Sequence, residues 1–465
     1  MATVQLLKDS PAARTGEPLA VRIAHSVVTM SMNDVPAEVT DKVKLCLFDL
    51  IGCAFESRDL PWSRQAVALA EGTGGAATVI GSPHAASHAD AAFANAVMGH
   101  GLVREDMHSG SISHLGIVVL PTLLALSELR HVRGRNFIAA AVVGYEVGGQ
   151  IGRALMDAEV ARIHRPTGIT GPVAAAAAGA RLLGLSTEAV TSAIALGANT
   201  TVGFNQWAHT GGSEMFFHAG YAARDAVTAA RLAELGAFAS PSALDGEAGL
   251  FAALGKRPAA SKVALFQGQP EILSVYHKPV PACNFAQTAS QAALSIAREY
   301  RTAPERIASV TVRVPRAGAL YPGCDYAGPF AHVLQAKMSI QYNVAAALIE
   351  GGVTEQNFTR LRDPVLLRLV DATKLEIDDA MTRAYPGKQG GEVEVRETSG
   401  ETHRIRLEDV VNASATDVRA RFHAAAENVL GAARAREIES FIDEFEIRKD
   451  VAPLCALLRD KATKN

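Results

Sequence analysis

Residues 171–185 most constrain how this chain can fold, because they are apolar on nearly every side of a helix. They read Gly-Pro-Val-Ala-Ala-Ala-Ala-Ala-Gly-Ala-Arg-Leu-Leu-Gly-Leu, so small side chains dominate the segment. A helix that is apolar all round lies inside a protein, and small residues let its neighbours pack closely. Similar alanine-rich runs begin at Asp90 and Asn136. The sequence therefore predicts an interior made of several closely packed helices.

The spacing of apolar residues divides the chain into two parts. From about residue 18 to residue 265, apolar residues recur three and four positions apart, which predicts helices almost throughout. After Gln267 the pattern changes, since residues 310–315 alternate like a strand and residues 392–407 read as a hairpin. Helical periodicity returns in residues 417–458, which we expect to pack back on the first part.

A chain of 465 residues is also too long for one ordinary hydrophobic core. We therefore expect a mostly α fold with two domains. The first is a large all-helical domain formed by residues 1–267 and 409–465, and the second is a smaller α+β lid domain formed by residues 268–408.

Charge and cysteine usage exclude several classes of protein. The net charge is −3 and the pI about 6.5, so no basic surplus points to nucleic acid or to an anionic membrane. The five cysteines form no CxxC pair, and an odd number without a regular framework favours a reducing compartment. Residues 1–17 lack the apolar core of a signal peptide, and the longest apolar runs are shorter than a membrane span. We expect a cytoplasmic protein.

Residues 95–116 place a group of ionisable side chains between two alanine-rich segments. These side chains are His100, Arg104, Glu105, Asp106, His108 and His114. Such a group is costly to bury unless its members pair with one another or meet a ligand. Histidine is also the side chain best suited to move protons near neutral pH. The stretch is therefore our first candidate for a proton-transfer site.

Short blocks in a shared order resemble the MmgE/PrpD family. The blocks are Asn95-x4-His100 running on to His114, Gly144-Tyr145-Glu146, residues 162–171 around His164, His277-Lys278-Pro-Val-Pro-Ala-Cys283, and Gln335-Ala-Lys-Met-Ser-Ile-Gln-Tyr. The resemblance implies a cleft between a helical domain and an α+β lid, and a homodimer. It also implies chemistry on a small di- or tricarboxylate without an organic cofactor or a redox metal, so we expect no cofactor.

Three departures from the family pattern bear on the reaction. Dehydratases and decarboxylases of the family usually have an aspartate at the position of Val103, a threonine at Met107 and a lysine at Met215. A methionine neither binds a carboxylate nor protonates a leaving group. We therefore favour a cofactor-independent epimerase of iminodisuccinate-like dicarboxylic amino acids, acting by α-proton abstraction and reprotonation. The alternatives are a dehydratase or decarboxylase of a citrate-like tricarboxylic acid and an inactive binding protein of the same fold.

Epimerisation next to a carboxylate needs a base on one face of the carbon and an acid on the other. We assign this pair to Lys278 and Tyr145, mainly because both fall in family blocks, and because burial near a domain boundary would lower the pKa of Lys278. His108 is the candidate general acid. The alternatives are a surface lysine, a core tyrosine whose hydroxyl is satisfied, and a loop histidine held by its neighbours.

The candidate substrate-binding residues are His114, His164, His218, Asp106, Arg104 and Arg165. A guanidinium binds a carboxylate through two parallel hydrogen bonds, although either arginine could instead form a surface salt bridge. Asp106 either orients a histidine or caps a turn. The spacings of the histidines in residues 95–116 fit no zinc motif, so we expect no metal.

Overall fold

The computed structural model describes residues 16–201 and 203–460. The helices before residue 260 are α1 (Leu19–Thr29), α2 (Ala37–Ser57), α3 (Pro61–Glu71), α4 (His88–His100), α5 (Gly116–Ser127), α6 (Gly134–Leu155), α7 (Ala158–Ile163), α8 (Pro166–Leu182), α9 (Thr187–Ala198), α10 (Trp207–Thr210), α11 (Glu214–Glu234) and α12 (Leu250–Ala253). The later helices are α13 (Gln287–Tyr300), α14 (Arg316–Leu320), α15 (Val333–Met338), α16 (Ile340–Glu350), α17 (Pro364–Asp371), α18 (Asp379–Ala384), α19 (Ala415–Leu430), α20 (Ala432–Asp443) and α21 (Ala452–Leu457). The strands are β1 (Ala77–Thr78), β2 (Ala85–Ala86), β3 (Met107–His108), β4 (Val275–Tyr276), β5 (Ile307–Val314), β6 (Thr373–Ile377), β7 (Gly391–Glu397) and β8 (Thr402–Leu407).

Helix α8 lies at the centre of the helical region, as its composition predicts. It packs against α5, α6, α9 and α11, and nearly all of its side chains are buried. A Cβ added at Gly171 would lie 3.0 Å from Val118, and one added at Gly179 would lie 3.1 Å from Ala230. Small residues therefore let these helices approach closely, and the burial of apolar surface between them stabilises the fold.

A four-stranded sheet forms the core of the C-terminal region. Its strand order is β6-β5-β7-β8, with β5 parallel to β6 and antiparallel to β7. Alternate residues of the two central strands are buried, namely Val310, Val312, Val393 and Val395. Helix α13 packs against this sheet, with α16 beside it. The alternating pattern of the sequence thus gives one apolar sheet face beneath a helix.

Two contacts join the α+β region to the helical region near the polar stretch. Strand β3 pairs antiparallel with β4, so that Met107 lies opposite Tyr276 and His108 opposite Val275. The chain then returns through α19, which packs on α2 with the rings of Phe48 and Phe422 5.0 Å apart. The β3–β4 pair carries the 276–283 segment directly alongside residues 100–114.

The expected fold class is confirmed, since the protein is mostly α with a small mixed sheet in its C-terminal region. The predicted strand and hairpin correspond to β5 and to the β7–β8 pair, and the predicted return of the C-terminal helices is confirmed by the α19–α2 contact. Strand β6 was not predicted. The domain bounds at 267 and 409 stay a prediction. Among the described residues, no helix is long and apolar enough to cross a membrane.

Candidate active site

A narrow cavity, here called the inner cavity, lies where residues 103–114 meet the segment after β4. Its lining residues are Val103, Met107, Ile112, His114, Arg165, Trp207, Met215, Cys283, Asn284, Phe285, Tyr321 and Met338. The space is small and has room for little more than a water molecule. Flexible methionine side chains form part of the wall, and they can move to admit a larger molecule.

The backbone around this cavity is strained at two β-branched residues. Val103 has φ of 59° and Ile112 has φ of 53°, in the left-handed region that β-branched residues rarely adopt. Two buried ammonium groups hold the turn at Val103, since Lys278 Nζ donates to the Val103 carbonyl at 2.5 Å and Lys337 Nζ donates to the Leu102 carbonyl at 3.1 Å. Such strain persists only where the surroundings impose it, and it is concentrated at functional sites.

A chain of hydrogen bonds leads from an arginine to a histidine in the cavity wall. Arg165 donates to His100 Nε2 at 3.0 Å, so the proton of the neutral His100 ring lies on Nδ1 and is donated to Glu105 Oε1 at 2.6 Å. The same Glu105 oxygen lies 2.9 Å from Nδ1 of His114, which also faces the Asp106 carbonyl at 3.1 Å. Both neighbours of this nitrogen are acceptors, so it carries the proton, and Nε2 of His114 is left to meet a ligand.

The electrostatics of this chain fix the protonation of its members. Burial alone would raise the pKa of the Glu105 carboxyl, but the two facing histidines and the Lys278 ammonium hold it well below its usual range. Burial and the Lys278 charge lower the pKa of His114 to about 3. His114 is therefore a neutral imidazole near pH 7, oriented by a carboxylate as catalytic histidines commonly are.

Arg165 is a buried cation without a carboxylate partner. It is 5% exposed, and within residues 16–201 and 203–460 it forms no ion pair. One terminal nitrogen donates to the Tyr321 hydroxyl oxygen at 3.3 Å, and Nε is buried without a hydrogen-bond partner in the same part of the chain. A buried guanidinium with an unused donor is suited to an anionic ligand, because an unpaired buried charge is otherwise costly.

Lys278 lies behind the cavity wall and is fully buried. Its ammonium group donates to the carbonyls of Val103 and Ala282, at 2.5 and 3.3 Å, and burial lowers its pKa. Lys278 is not among the described residues that line the inner cavity. Through these contacts Lys278 stabilises the turn at Val103. Its role as a base stays a prediction.

Tyr145 and Asp106 form a buried pair that is separate from the cavity. The tyrosine hydroxyl donates to Asp106 Oδ2 at 2.6 Å, and both residues are almost completely buried. Burial raises the pKa of Asp106 to about 6 and raises that of Tyr145 well above its usual value. The Tyr145 hydroxyl is thus bonded to Asp106, whereas the Lys278 ammonium group is bonded to backbone carbonyls. The two-base pair predicted from the sequence stays a prediction.

His108 uses both ring nitrogens inside the protein. Nδ1 accepts the Ser111 backbone N–H at 3.1 Å, so Nε2 carries the proton and donates to Glu271 at 2.6 Å. The backbones of His108 and Ser113 also bond to each other, which closes the loop that contains Ile112. His108 therefore stabilises this loop. Because both of its ring nitrogens are bonded within the protein, neither is left to face the inner cavity, and its role as a general acid stays a prediction.

The remaining predicted substrate-binding residues lie outside the inner cavity. Arg104 forms a two-pronged ion pair with Glu56, at 3.0 and 2.5 Å. His164 is half-buried at the end of α7, with its ring against Phe204. His218 lies close to Arg165, where burial and the guanidinium charge lower its pKa to about 4. Of the six predicted substrate-binding residues, the structure brings only His114 and Arg165 into the cavity wall.

His100, Glu105 and His114 also have the composition of a metal site, with ligand atoms within 4.8 Å of one another. The hydrogen bonds described above place protons on both Nδ1 atoms, and the Arg165 and Lys278 cations lie close to the group. This arrangement favours a hydrogen-bonded network over a cation centre. The expectation of no metal stays a prediction.

Sequence reasoning missed several members of the cavity wall. Tyr321 and Asn284 were not singled out, and Cys283, whose Sγ lies 3.4 Å from Cys324 Sγ, was noted only as part of a block. Tyr321 lies just after α14, ahead of a Pro-Gly turn, which is a weak signal. In contrast, Val103, Met107 and Met215, which depart from the family pattern, all line this cavity.

The protein is thus mostly helical, and it holds a cavity lined by an arginine and a histidine beside its α+β region. The chain belongs to the MmgE/PrpD family of enzymes, since the MmgE/PrpD N-terminal domain matches residues 21–262 and the MmgE/PrpD C-terminal domain matches residues 280–447. The family membership that the short blocks predicted is therefore confirmed.

Three curated relatives show how far the likeness extends. A cis-aconitate decarboxylase-like protein of Aspergillus oryzae is 31% identical over 233 residues, which are 47% of this chain and 47% of that protein. A cis-aconitate decarboxylase of Aspergillus terreus is 28% identical over 254 residues, 53% of this chain and 52% of that protein. In these two matches the chain spans about half the length of the relative. A mouse cis-aconitate decarboxylase is 24% identical over 392 residues, 81% of this chain and 79% of that protein.

Proposed function

We propose that this protein is a cofactor-independent lyase that removes carbon dioxide from a small unsaturated carboxylic acid. The observation that carries the proposal is the buried Arg165, which has an unused donor and lies beside the oriented, neutral His114. The names of the relatives support a decarboxylase better than the epimerase that the sequence departures favoured. Dehydration of a hydroxy acid is a related reaction, since it uses the same contacts with the substrate carboxylate and the same proton-transferring group.

Arg165 would bind the carboxylate that stays on the substrate. A charge-assisted pair with a guanidinium is about twice as strong as a neutral hydrogen bond, and it is stronger still where water is excluded. The inner cavity is buried and narrow, so this contact would also fix the orientation of the carbon skeleton. The same contact stabilises the enolate-like charge that develops on the retained carboxylate.

Decarboxylation then requires one proton at carbon. The bond between the leaving carboxylate and the carbon skeleton breaks, its electron pair is delocalised toward the retained carboxylate, and a proton from the protein forms the new C–H bond. His114 can supply the proton once a bound polyanion has raised its pKa, since an opposite charge favours the imidazolium form. Tyr321 is the second candidate donor, because its oxygen accepts from Arg165 and no acceptor of its own proton lies among the described residues. Water returns the proton after carbon dioxide leaves.

A second candidate reaction is epimerisation next to a carboxylate. The observation in its favour is that Val103, Met107 and Met215 line the cavity where the family pattern has an acid, a hydroxyl and an amine. A cavity with fewer polar contacts suits a substrate with fewer polar groups. In this reaction His114 and Tyr321 would act on the two faces of the carbon, in place of the Lys278–Tyr145 pair predicted from the sequence.

Proton NMR in D2O distinguishes the two reactions. The purified protein is incubated with cis-aconitate and, separately, with stereoisomers of iminodisuccinate, and carbon dioxide release is measured in parallel. A lyase gives a product alkene with one deuterium and one equivalent of carbon dioxide. An epimerase instead exchanges the α-proton and interconverts stereoisomers without a new alkene signal. The enzyme concentration is chosen so that even a slow lyase would give several turnovers per hour. If none of these acids then shows either change, both reactions are contradicted for these substrates.

A further inference from the structure

A second cavity, here called the outer chamber, adjoins the inner cavity. Its volume is about 330 Å³, at the lower end of the range of sites that hold drug-sized ligands. The two cavities share Ile112, Phe285 and Tyr321 as wall residues. Leu320 and Arg316, which are both exposed, stand at the outer rim.

The outer chamber is lined mainly by apolar side chains. Its apolar wall residues include Met156, Ala158, Ala161, Ala317 and Leu320. A chamber of this kind gains little from contact with a citrate-like acid, since carboxylates lose hydration there without finding partners. It would gain from an apolar group, in proportion to the surface removed from water.

Three polar side chains of the outer chamber, those of Asp157, Thr382 and Tyr385, have partners within the described residues. Asp157 caps α7 and pairs with Lys256, and the hydroxyl of Thr382 accepts from the Arg316 backbone N–H at 2.9 Å and donates to Asp378. The Tyr385 hydroxyl donates to the Ser109 carbonyl at 3.5 Å. Among the residues that line the outer chamber, only Arg316 carries a charge without an ion pair in the described chain, and it lies at the rim.

We propose that the substrate carries an apolar chain of several carbons, which lies in the outer chamber while its carboxylate head occupies the inner cavity. This inference rests on the proposed function for the position of the head. The three apolar residues of the inner cavity that depart from the family pattern agree with it, since Val103, Met107 and Met215 suit a less polar head than a plain tricarboxylate. The shared wall at Ile112, Phe285 and Tyr321 is where the chain passes from one cavity to the other.

Equilibrium binding of non-reactive acids tests the inference without turnover. Succinate and its methyl, butyl and hexyl derivatives are titrated by calorimetry into the purified full-length protein. Each buried methylene is expected to tighten binding about threefold to fourfold until the chamber is filled. Affinities that stay flat or fall with chain length overturn the inference, as does the absence of binding by every acid in the series.

A variant with a larger side chain in the outer chamber, compared with a matched control elsewhere on the surface, provides a second test. Leu320→Trp places an indole ring at the rim. Because Leu320 is 50% exposed, the change is compatible with folding. The control is Leu69→Trp, on α3 and outside both cavities, where leucine is 54% exposed. We expect the hexyl-to-methyl affinity ratio to fall at least tenfold in Leu320→Trp and to stay unchanged in Leu69→Trp. Equal ratios in the two variants contradict the proposal.

Turnover separates this inference from the proposed function. The comparison uses cis-aconitate and its alkyl-substituted analogues, with kcat/KM measured by NMR. If binding rises with chain length while none of these acids reacts, the outer chamber is supported and the lyase proposal fails. If cis-aconitate reacts and longer chains neither bind nor react better, the lyase proposal stands and the chain-binding inference is wrong.

Discussion

Two sets of side chains of the same three types lie close together in this protein, and they differ in what their polar atoms contact. The cavity set, Arg165, His114 and Tyr321, lines the inner cavity. The interior set, Arg104, His108 and Tyr145, is bonded to carboxylates of the protein itself, namely Glu56, Glu271 and Asp106. Both sets are buried. Burial alone therefore does not distinguish a group available for chemistry from a structural one.

The difference lies in whether a protein group pairs with the charge of the arginine, the second ring nitrogen of the histidine and the hydroxyl proton of the tyrosine. A buried donor or acceptor without a partner is costly, so a fold that keeps one has kept it at the expense of stability. Arg165 Nε is such an atom, and the Nδ1 contacts of His114 leave only Nε2 for a ligand. In the interior set, both terminal nitrogens of Arg104, both ring nitrogens of His108 and the hydroxyl of Tyr145 are bonded to protein groups, whereas Nε of Arg104, like that of Arg165, has no hydrogen-bond partner among the described residues. Paired substitutions in the two sets test this contrast.

The largest effect is expected at the arginines. Arg165→Met should lower kcat/KM about 10²–10³-fold, because it removes the donor to the developing enolate-like charge. Its stability should hold or rise, since a buried unpaired cation is lost. Arg104→Met should instead lower the free energy of unfolding by about 1–3 kcal/mol, because it leaves Glu56 unpaired at a partly exposed site. Steady-state kinetics and urea unfolding of both variants measure the two effects, and a greater activity loss in Arg104→Met contradicts the assignment.

The histidines should show the next largest difference. His114→Gln removes the proton-transferring nitrogen, and general acid–base groups contribute about 10²–10⁴-fold to a rate. His108→Gln should mainly lower stability, by about 1–3 kcal/mol, since it removes one of the donors to Glu271, which also accepts from Gln150 and Arg153. The pH profile of kcat distinguishes a chemical role from a structural one. If His108→Gln abolishes proton transfer at full thermal stability while His114→Gln does not, the contrast is wrong.

The tyrosines should differ by a smaller factor. Tyr321→Phe removes one candidate proton donor and one acceptor of Arg165, so we expect kcat to fall about tenfold or more. Tyr145→Phe leaves Asp106 without its hydroxyl donor, and we expect a loss of about 1–2 kcal/mol in the free energy of unfolding. Deuterium incorporation at carbon, followed by NMR, reads the first effect, and thermal unfolding reads the second. Loss of deuterium incorporation in Tyr145→Phe alone would restore the two-base pair predicted from the sequence.

The smallest effect is a pH dependence of stability from Asp106. Burial raises its pKa to about 6 from 3.8, so the folded protein holds a proton that the unfolded chain releases. Stability from this group is therefore present below about pH 4 and is lost as the pH rises toward 6. The loss is on the order of 2–3 kcal/mol. Asp106→Asn still accepts the Tyr145 hydroxyl, so the wild type should lose stability relative to this variant between pH 4 and 6 in urea unfolding. A constant difference contradicts the raised pKa.

The mostly helical fold was predictable because it follows from local patterns. The small residues of α8 require close neighbours, and the alternating valines of β5 require a one-sided sheet, whatever the rest of the chain does. Strand β6 was missed because its burial pattern is weak, with one buried residue in five. It is held instead by its parallel pairing with β5.

The site was only partly predictable, because its selection depends on distant partners. Residues 100–114 were identified from their ionisable side chains alone. Which of them faces the cavity depends on groups far along the chain, since His108 meets Glu271 across 163 positions and Arg165 meets Tyr321 across 156. No local pattern encodes these contacts. The family blocks supplied His114 and Arg165, but they gave equal weight to residues that the fold has already paired.

A crystal structure with a bound, non-reactive dicarboxylate such as methylsuccinate tests the central claim most directly. We expect one carboxylate in the inner cavity, about 2.8 Å from nitrogens of Arg165 with Nε among its donors, and a carbon of the ligand beside Nε2 of His114. A carboxylate bound instead to His108 or Tyr145, or held only by Arg316 at the rim with Arg165 uncontacted, would contradict it.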